Sequence, residues 1–261
     1  MPASKFIQSR DNPLFKTLLK LSKSAPERRK QSATLLDGAH LIESFSAAGH
    51  AIEALVLSET GAKRPELQRL FERIDARQRV QLSDPLFHDI AAVTTPTGIM
   101  ALVDTPKPTA EPAIDVDSVL LETVQDPGNL GSILRSAAAA GIEQVLLSKG
   151  SVFAWSPRTL RAGMGAHFAL RVFEDCDLSA FSARFKGQCI ATDLQAKQSL
   201  FEAPLNSPVA WMFGNEGAGL STELAQRAHL RVRIPMPGQA ESLNVAAAAA
   251  ICLFENVRRR Q

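Results

Sequence analysis

A proline-rich stretch divides the chain into two parts. Pro106, Pro108 and Pro112 fall close together within a run of 261 residues that is otherwise rich in regular apolar patterns. Because proline fixes φ and lacks an amide hydrogen, neither a helix interior nor a central strand can pass through them. We therefore predict an amino-terminal domain over residues 1–105, a linker over 106–115 and a carboxy-terminal domain over 116–261.

Both parts alternate short apolar runs with helical patterns. The predicted strands of the carboxy-terminal part are residues 118–124, 144–147, 188–192, 209–213 and 230–234. Such alternation is typical of an α/β domain whose largely parallel sheet is covered by helices on both faces. The amino-terminal part has similar runs at 34–36, 54–57 and 98–103, and these predict a smaller α/β domain.

Composition and apolar run lengths exclude several classes of protein. The longest uncharged apolar run, residues 245–254, is half the length of about 20 residues that a membrane span requires. The first twenty residues contain no continuous apolar stretch of the kind found in a secretory signal. Three widely spaced cysteines, at 176, 189 and 252, favour reduced thiols over disulfides or a metal site. We predict a cytoplasmic protein without a metal.

Positive charge is concentrated near the amino terminus. Residues 5–30 contain eight lysines and arginines against two acidic residues, although the whole chain carries only +2. Clustered basic side chains bind nucleic acid by releasing counterions from its phosphates, but they also occur on ordinary solvated faces. The candidate RNA-binding residues are Arg10, Lys16, Arg28, Arg29 and Lys30.

Two loops that follow predicted strands carry glycine and polar residues. The first, residues 125–131, contains Asn129 as a possible helix cap and opens a helix that carries Arg135. The second, residues 214–221, has three glycines in an order that differs from the dinucleotide-binding fingerprint. Its glycines predict a backbone that approaches a ligand, and Glu216 is expected to point into whatever the loop encloses. Either loop alone could be an ordinary turn.

A third segment opens the last predicted helix. Residues 234–238 contain two prolines and a glycine, and Ser242 and Asn244 then flank an apolar leucine where the helix begins. This pattern could simply cap the helix. Ligands of open α/β sheets bind where strands end and helices begin, so the three segments together predict one composite site.

The three segments resemble the motifs of SpoU-type RNA 2'-O-ribose methyltransferases, the TrmH family of the SPOUT superfamily. They read Asp126-Pro-Gly-Asn-Leu-Gly with Arg135, then Gly214-Asn-Glu-Gly-Ala-Gly-Leu-Ser, then Ile234-Pro-Met with Ser242-Leu-Asn-Val. The resemblance covers residues 118–257, and residues 1–103 are similar, less specifically, to the family's amino-terminal substrate-binding domain. Alanines at 138 and 246 depart from the residues frequent in the family.

The resemblance implies a fold, a cofactor and a substrate. It implies a carboxy-terminal SPOUT domain with a deep trefoil knot, a homodimer formed through that domain, and methyl transfer from S-adenosylmethionine to a ribose 2'-hydroxyl. The implied substrate is structured RNA, with large-subunit ribosomal RNA favoured over transfer RNA. The implied catalytic residues are Asn129, Arg135, Glu216, Ser242 and Asn244, and the implied cofactor-binding residues are Phe213, Gly214, Asn215, Gly219, Ile234, Met236 and Leu243.

Sequence leaves two questions open. A guanidinium with a pKa above about 12 is not normally a base, so Arg135 either stabilises the developing alkoxide, grips a neighbouring phosphate or acts as a phosphate-assisted base. The alternatives to an RNA methyltransferase are a non-enzymatic RNA-binding or ribosome-assembly factor with the same fold, and an enzyme acting on small adenosyl ligands. Retention of all five implied catalytic residues disfavours the first alternative, and the basic amino-terminal segment disfavours the second.

Overall fold

The computed structural model describes residues 5–91 and 96–261. Its strands are β1 (Lys5–Ile7), β2 (Ala33–Asp37), β3 (Ile52–Ser58), β4 (Gln78–Leu82), β5 (Ile99–Asp104), β6 (Ser118–Leu121), β7 (Gln144–Ser148), β8 (Arg171–Cys176), β9 (Gln188–Thr192), β10 (Gln198–Ser199), β11 (Val209–Phe213) and β12 (Leu230–Arg233). Its α-helices are α1 (Pro13–Lys23), α2 (Ala25–Gln31), α3 (Ala39–Ala47), α4 (Pro65–Arg73), α5 (Asp84–Ile90), α6 (Pro127–Ala139), α7 (Pro157–Gly163), α8 (Leu178–Arg184), α9 (Thr222–Gln226) and α10 (Val245–Arg258). Short 3-10 helices cover Gly61–Lys63, Ala166–Ala169 and Leu200–Glu202.

Two sheets organise these elements. The first has the order β1-β4-β3-β5-β2, in which β5 runs antiparallel to β2 and β3. The second has the order β10-β12-β9-β11-β6-β7-β8, and all of its strand pairs are parallel. The predicted α/β class with a largely parallel second sheet is confirmed. The trefoil knot stays a prediction.

Four strands were not predicted from the sequence because their apolar patterns are weak. β1 and β10 are only three and two residues long, which is too short for any periodicity to show. β4 and β8 carry charged or amide side chains at several positions, and β8 lies at the edge of its sheet. Edge strands with charged side chains are common in natural sheets, but they lack the apolar runs on which prediction depends.

Helix α1 shows how the local sequence determines the first unit. The side-chain oxygen of Asn12 accepts hydrogen bonds from the backbone of Leu14 and Phe15, so it caps the helix. Phe15, Leu18 and Leu21 follow at helical spacing and are buried. The lysines of this helix lie on the opposite, exposed face.

The described residues form two compact units, and one segment departs from the predicted domains. The first unit comprises the described part of Met1–Pro106 together with Trp155–Phe168, and the second comprises Lys107–Ala154 with Ala169–Gln261. Our predicted carboxy-terminal domain, 116–261, included the segment Trp155–Phe168, which instead packs within the first unit. The Thr34 hydroxyl donates to the carbonyl oxygen of Trp155 at 2.6 Å.

Aromatic packing explains why this segment joins the first unit. Phe168 lies edge-on against Phe45 of α3, with ring centroids 5.1 Å apart. Trp155 and the Leu160 side chain of α7 are also buried. Burial of such large apolar groups stabilises the unit to which they contribute, and sequence position alone could not reveal which unit that would be.

The three cysteines are all free thiols in the structure. Cys189 and Cys252 are buried and Cys176 is half-buried, and burial raises the pKa of both Cys176 and Cys189 to about 11. Within residues 5–91 and 96–261, no group of His, Cys, Asp or Glu side chains is arranged to hold a metal ion. No helix in the same ranges has the length and apolarity to span a membrane.

The arginines at the carboxy terminus of α10 bind protein groups. The buried carboxylate of Glu255 accepts hydrogen bonds from Arg258 at 2.7 and 2.8 Å and from Arg259 at 2.6 Å. Arg259 also donates to the carbonyl oxygens of Leu200 and Ala203. This small basic cluster therefore stabilises the end of the helix.

Replacing Glu255 should change how stability depends on pH. The hydrogen bonds from Arg258 and Arg259, opposed by burial, lower the pKa of Glu255 to about 2. A lowered pKa in the folded state adds stability above the unfolded pKa, near 4.3, and this stability is lost as the pH falls towards 2. We expect the wild type to lose about 1 kcal/mol more stability on acidification than the Glu255→Gln variant. The value is small because the Arg258 side chain is exposed, and solvent weakens an exposed ion pair. Urea unfolding at several pH values between 7 and 3 measures the free energy of unfolding of both proteins. If this free energy falls by the same amount in the wild type and the variant, the prediction is contradicted.

Candidate functional site

The three predicted segments meet at the carboxyl edge of the parallel sheet. The first follows β6, the second follows β11 and the third follows β12, and these strands lie near one another in the order β12-β9-β11-β6. Helices α6 and α10 begin at the same edge and pack against each other. The prediction that one composite site joins the segments is therefore consistent with their arrangement.

Glu216 links the second segment to the first. Its Oε1 accepts hydrogen bonds from the backbone amide of Asp126 at 3.1 Å and from Asn129 Nδ2 at 3.0 Å, and its Oε2 accepts from the amide of Gln125 at 3.2 Å. Partial burial raises the pKa of Glu216, but the bonds from Asn129, Asp126 and Gln125 outweigh it, so the net pKa is lowered. The carboxylate is thus an anionic anchor and is poorly suited to accept a proton.

Asn129 and Asn244 extend this chain of hydrogen bonds into the third segment. Asn244 Nδ2 donates to Asn129 Oδ1 at 2.8 Å. Asn244 Oδ1 accepts from the amides of Ala246 and Ala247, so this residue caps α10 as the sequence indicated. The possible capping role of Asn129 is wrong, because Asp126 is the cap of α6 and accepts from the Asn129 amide at 2.8 Å. The Asn129 side chain is thereby left to join the two other segments.

The glycine loop is held closed by its own backbone and by Asn215. Asn215 and Gly219 exchange two backbone hydrogen bonds of 3.0 and 2.9 Å. Asn215 Nδ2 donates to the carbonyl of Thr123, and its Oδ1 accepts from the amides of Gly217 and Ala218. The predicted cofactor residue Asn215 therefore also fixes the shape of the loop.

Gly214 is required by the loop itself. A Cβ on Gly214 would lie 2.1 Å from the carbonyl carbon of Gly219 and 2.2 Å from the amide nitrogen of Leu220. We expected the glycines of this loop to make room for a ligand, but at Gly214 the close approach is to the loop's own backbone. Gly219 has a φ of +69°, which favours glycine for a separate reason.

A pocket opens beside this network. Its walls include all seven predicted cofactor-binding residues, which are Phe213, Gly214, Asn215, Gly219, Ile234, Met236 and Leu243. Apolar side chains from Leu220, Val232 and Val245 complete much of the lining, and none of the described residues that line it is basic. Apolar walls suit an adenine ring, and the acidic side chains in the lining suit a ligand with positive charge. The pocket therefore fits an adenosyl sulfonium compound.

Arg135 and Ser242 lie outside the hydrogen-bond network. Arg135 is exposed on α6 and makes no hydrogen bond or ion pair with any described residue. It follows Gly128 by seven residues and so shares a helix face with that motif residue. Ser242 lines the pocket and is exposed. Both side chains are available to ligands.

Sequence reasoning missed polar residues at two strand ends. Glu122, directly after β6, accepts hydrogen bonds of 2.7 Å from both the amide and the hydroxyl of Ser221. Thr192 and Asp193, at the end of β9, line the pocket. Glu122 and Thr192 fall inside the predicted strands 118–124 and 188–192 and only Asp193 follows one, and none of the three stands in a glycine-rich loop or in a family motif.

The candidate RNA-binding residues have different environments. Arg28 is buried, donates to the carbonyl oxygen of Leu21 and has a pKa lowered by desolvation. It joins α2 to the end of α1, so its assignment to an RNA surface is wrong. Arg10 pairs with Asp89 at 2.7 Å and Lys16 with Asp11 at 2.9 Å. These two, with Arg29 and Lys30, are exposed.

Family models match both parts of the chain. The SpoU rRNA methylase family model matches residues 118–254, and a model of the MRM3-like substrate-binding domain matches residues 12–101. The first match covers the pocket, the glycine loop and the hydrogen-bond network.

Curated relatives share almost the whole length of the chain. The chain is 34% identical over 255 residues to the 23S rRNA (guanosine(2553)-2'-O)-methyltransferase RlmP of Bacillus subtilis, covering 96% of this chain and 98% of that protein. It is 30% identical over 307 residues to the human mitochondrial rRNA methyltransferase 3, covering 93% and 71% of the two chains.

Solved structures agree in fold over the same length. An RNA 2'-O ribose methyltransferase superimposes with a TM-score of 0.84 at 34% identity, covering 98% of this chain and 99% of that one. An AdoMet-bound rRNA methyltransferase from Sinorhizobium meliloti gives 0.83 at 28% identity, with 98% of each chain covered. The chain belongs to the SpoU rRNA methylase family of RNA 2'-O-ribose methyltransferases.

Proposed function

We propose that this protein methylates a ribose 2'-hydroxyl of large-subunit ribosomal RNA, with S-adenosylmethionine as the methyl donor. The observation that carries the proposal is the convergence of three family motifs on one sheet edge, where the Glu216–Asn129–Asn244 network adjoins a pocket of suitable chemistry. The names of the relatives support ribosomal RNA as the substrate. The cytoplasmic location predicted from the sequence remains a prediction.

The pocket and the network have separate tasks. S-adenosylmethionine, when bound, supplies an electrophilic methyl group. The apolar lining from Ile234, Met236 and Leu243 would hold the adenosyl group, and the loop closed by Asn215 would keep the pocket in shape. Because Glu216 already accepts three hydrogen bonds, one of them from Asn129 Nδ2, it would serve to orient Asn129. Holding the two reactants in line supplies much of the rate enhancement for such a transfer.

Arg135 is the residue placed to act on the hydroxyl. Its guanidinium is exposed and has no partner among the described residues, so RNA can reach it. Stabilising the developing alkoxide or gripping the adjacent phosphate uses the charge that arginine carries at every physiological pH. A phosphate-assisted loss of the arginine proton is the third possibility, and a pH–rate profile of the purified enzyme separates it from the first two.

A methyl-transfer assay tests the proposed function. Purified protein would be incubated with S-adenosylmethionine carrying a labelled methyl group and with ribosomal RNA or transfer RNA from cells that lack the protein. We expect label in a single ribose of large-subunit RNA, located by mapping 2'-O-methyl groups. Label in transfer RNA alone would show that transfer RNA, and not ribosomal RNA, is the substrate. Binding of RNA without any transfer would favour the non-enzymatic assembly factor.

We propose that a row of lysines on helix α1 contacts RNA. Lys16, Lys20 and Lys23 follow one another at helical spacing on its exposed face. We expect Lys20→Ala with Lys23→Ala to weaken RNA binding and to reduce the slope of log K against log salt by up to about 2. Filter binding to ribosomal RNA at several salt concentrations measures this.

Two controls make the lysine experiment specific. Lys63→Ala with Arg69→Ala removes the same charge from exposed positions elsewhere in the first unit; an equal loss of slope there would contradict a specific role for α1. Arg28→Ala should lower stability and leave the salt slope unchanged, because Arg28 is buried against backbone carbonyls.

We also propose that the carboxy-terminal unit forms a homodimer through α10. Ala249 and Cys252 are buried on one face of this helix, while the face that carries Ala247, Ile251 and Phe254 is incompletely buried, with Phe254 48% exposed. An exposed apolar stripe of this kind is typical of a surface that meets another protein. Sedimentation of the full chain at micromolar concentration tests the proposal, and a monomer would contradict it.

A further inference from the structure

Two polar side chains in the pocket remain without a role in the function proposed above. Thr192 and Asp193 lie at the carboxyl end of β9 and both line the pocket. Neither stands in a family motif of the sequence. Their hydrogen bonds show what each has left to offer a ligand.

Asp193 has one carboxylate oxygen available. Its backbone amide donates to the carbonyl of Val232 at 2.9 Å, which fixes the residue against β12. Its Oδ1 accepts from the amide of Gln195 at 2.8 Å. The nearest cationic group to Oδ2 is Nη1 of Arg231 at 3.7 Å, which is beyond hydrogen-bond distance. Oδ2 is therefore an anionic acceptor that lacks a direct protein donor.

Thr192 adds a second open group at the same strand end. Its half-buried side chain makes no hydrogen bond with any described residue. A hydroxyl that lines a pocket without a protein partner is free to donate to or accept from a ligand. The carboxylate and the hydroxyl thus offer adjacent hydrogen-bonding groups on one wall.

The position of β9 indicates which part of the ligand these groups meet. β9 is separated from β6 by β11, and two strand spacings amount to about 10 Å. The loop after β6 carries the network around Asn129, where the proposed transfer takes place. Groups at the end of β9 are therefore distant from the reacting methyl and close to the apolar wall that suits adenine.

We propose that Asp193, assisted by Thr192, binds the ribose diol of S-adenosylmethionine. Two vicinal hydroxyls are donors that match an open carboxylate oxygen and a neighbouring hydroxyl. The inference rests on the proposed function, because it takes S-adenosylmethionine as the ligand.

Calorimetry with matched ligands tests the inference. Asp193→Asn keeps an acceptor for the Gln195 amide and replaces Oδ2 with a donor. We expect the Kd of S-adenosylmethionine and of S-adenosylhomocysteine to rise equally, by about tenfold. The 2'-deoxy and 3'-deoxy forms of S-adenosylhomocysteine should bind the wild type more weakly, and at least one should be insensitive to the substitution. Glu223→Gln, an exposed residue on α9 outside this pocket, is the control.

Each result has a distinct meaning. An effect on S-adenosylmethionine alone would show that Asp193 meets the sulfonium charge and would overturn the diol assignment. Unchanged affinity for both ligands would overturn any role of Asp193 in binding. Failure of the wild type to bind either ligand would instead contradict the proposed function. Circular dichroism checks that the variant is folded, so that a change in affinity does not result from unfolding.

Discussion

Replacing Arg135 with alanine should lower the rate of methyl transfer by about a hundredfold or more. The guanidinium is exposed and unpaired among the described residues, so its removal breaks no protein contact. The loss expected is that of one group that stabilises charge in the transition state. Single-turnover rates with saturating RNA and cofactor measure it, and thermal unfolding should be unchanged.

Two further variants define what Arg135 contributes. Arg184→Ala removes an exposed arginine at the end of α8 in the same unit and should leave the rate unaltered. Arg135→Lys keeps the charge but loses the planar, forked donor set, so an intermediate rate would indicate charge stabilisation. Near-normal turnover of Arg135→Ala would contradict the assignment.

Replacing Gly214 with alanine should strongly weaken cofactor binding. The added Cβ would lie 2.1 to 2.2 Å from backbone atoms of Gly219 and Leu220. Backbone atoms cannot relieve such a clash by a change of rotamer, as a side chain can. The loop would have to open, breaking the paired hydrogen bonds between Asn215 and Gly219. Because these residues line the pocket, we expect Kd to rise by about a hundredfold or more.

Gly217 in the same loop provides a matched control. A Cβ there would meet only Asn215 Oδ1, at an ordinary distance of 3.6 Å, so Gly217→Ala should bind the cofactor almost as the wild type does. Calorimetry on both variants checks the comparison, and circular dichroism reports whether the rest of the fold survives. Equal affinities for the two variants would show that the closed loop is not required.

The sequence allowed the position of the site to be predicted more completely than its internal contacts. Strand ends of a parallel sheet share an edge, so motifs after β6, β11 and β12 could be placed together without a structure. The reach of Glu216 to the amides of Gln125 and Asp126 depends on how the loops bend. No periodicity encodes such bends. The cap of α6 was assigned to Asn129 although Asp126 stands directly before Pro127, an order that is itself typical of a helix start.

Charge patterns were a weaker guide than motifs. Eight basic residues near the amino terminus predicted a phosphate-binding surface. A count of charges, however, does not show which of the side chains point to solvent. Arg28 points inward to satisfy carbonyls at the end of α1, while Lys20 and Lys23 point outward. Arg28 lies on α2 whereas the two lysines lie on α1, so the helix boundary between them had to be known before their directions could be compared. The trefoil knot remains a prediction that rests on the resemblance to the family. Neither composition nor periodicity shows how the path of a chain crosses itself.

The placement of Trp155–Phe168 in the first unit has a consequence for protein synthesis. The chain passes between the units after Pro106, after Ala154 and after Phe168. Domains commonly fold in order as they leave the ribosome, but here the amino-terminal unit lacks the segment Trp155–Phe168 until residue 168 has emerged. Its partly built core, including the Phe45 surface that Phe168 covers, must wait while Lys107–Ala154 of the second unit is translated. A truncated fragment ending near Pro106 is therefore expected to be aggregation-prone, and chaperones should engage the nascent chain during this interval.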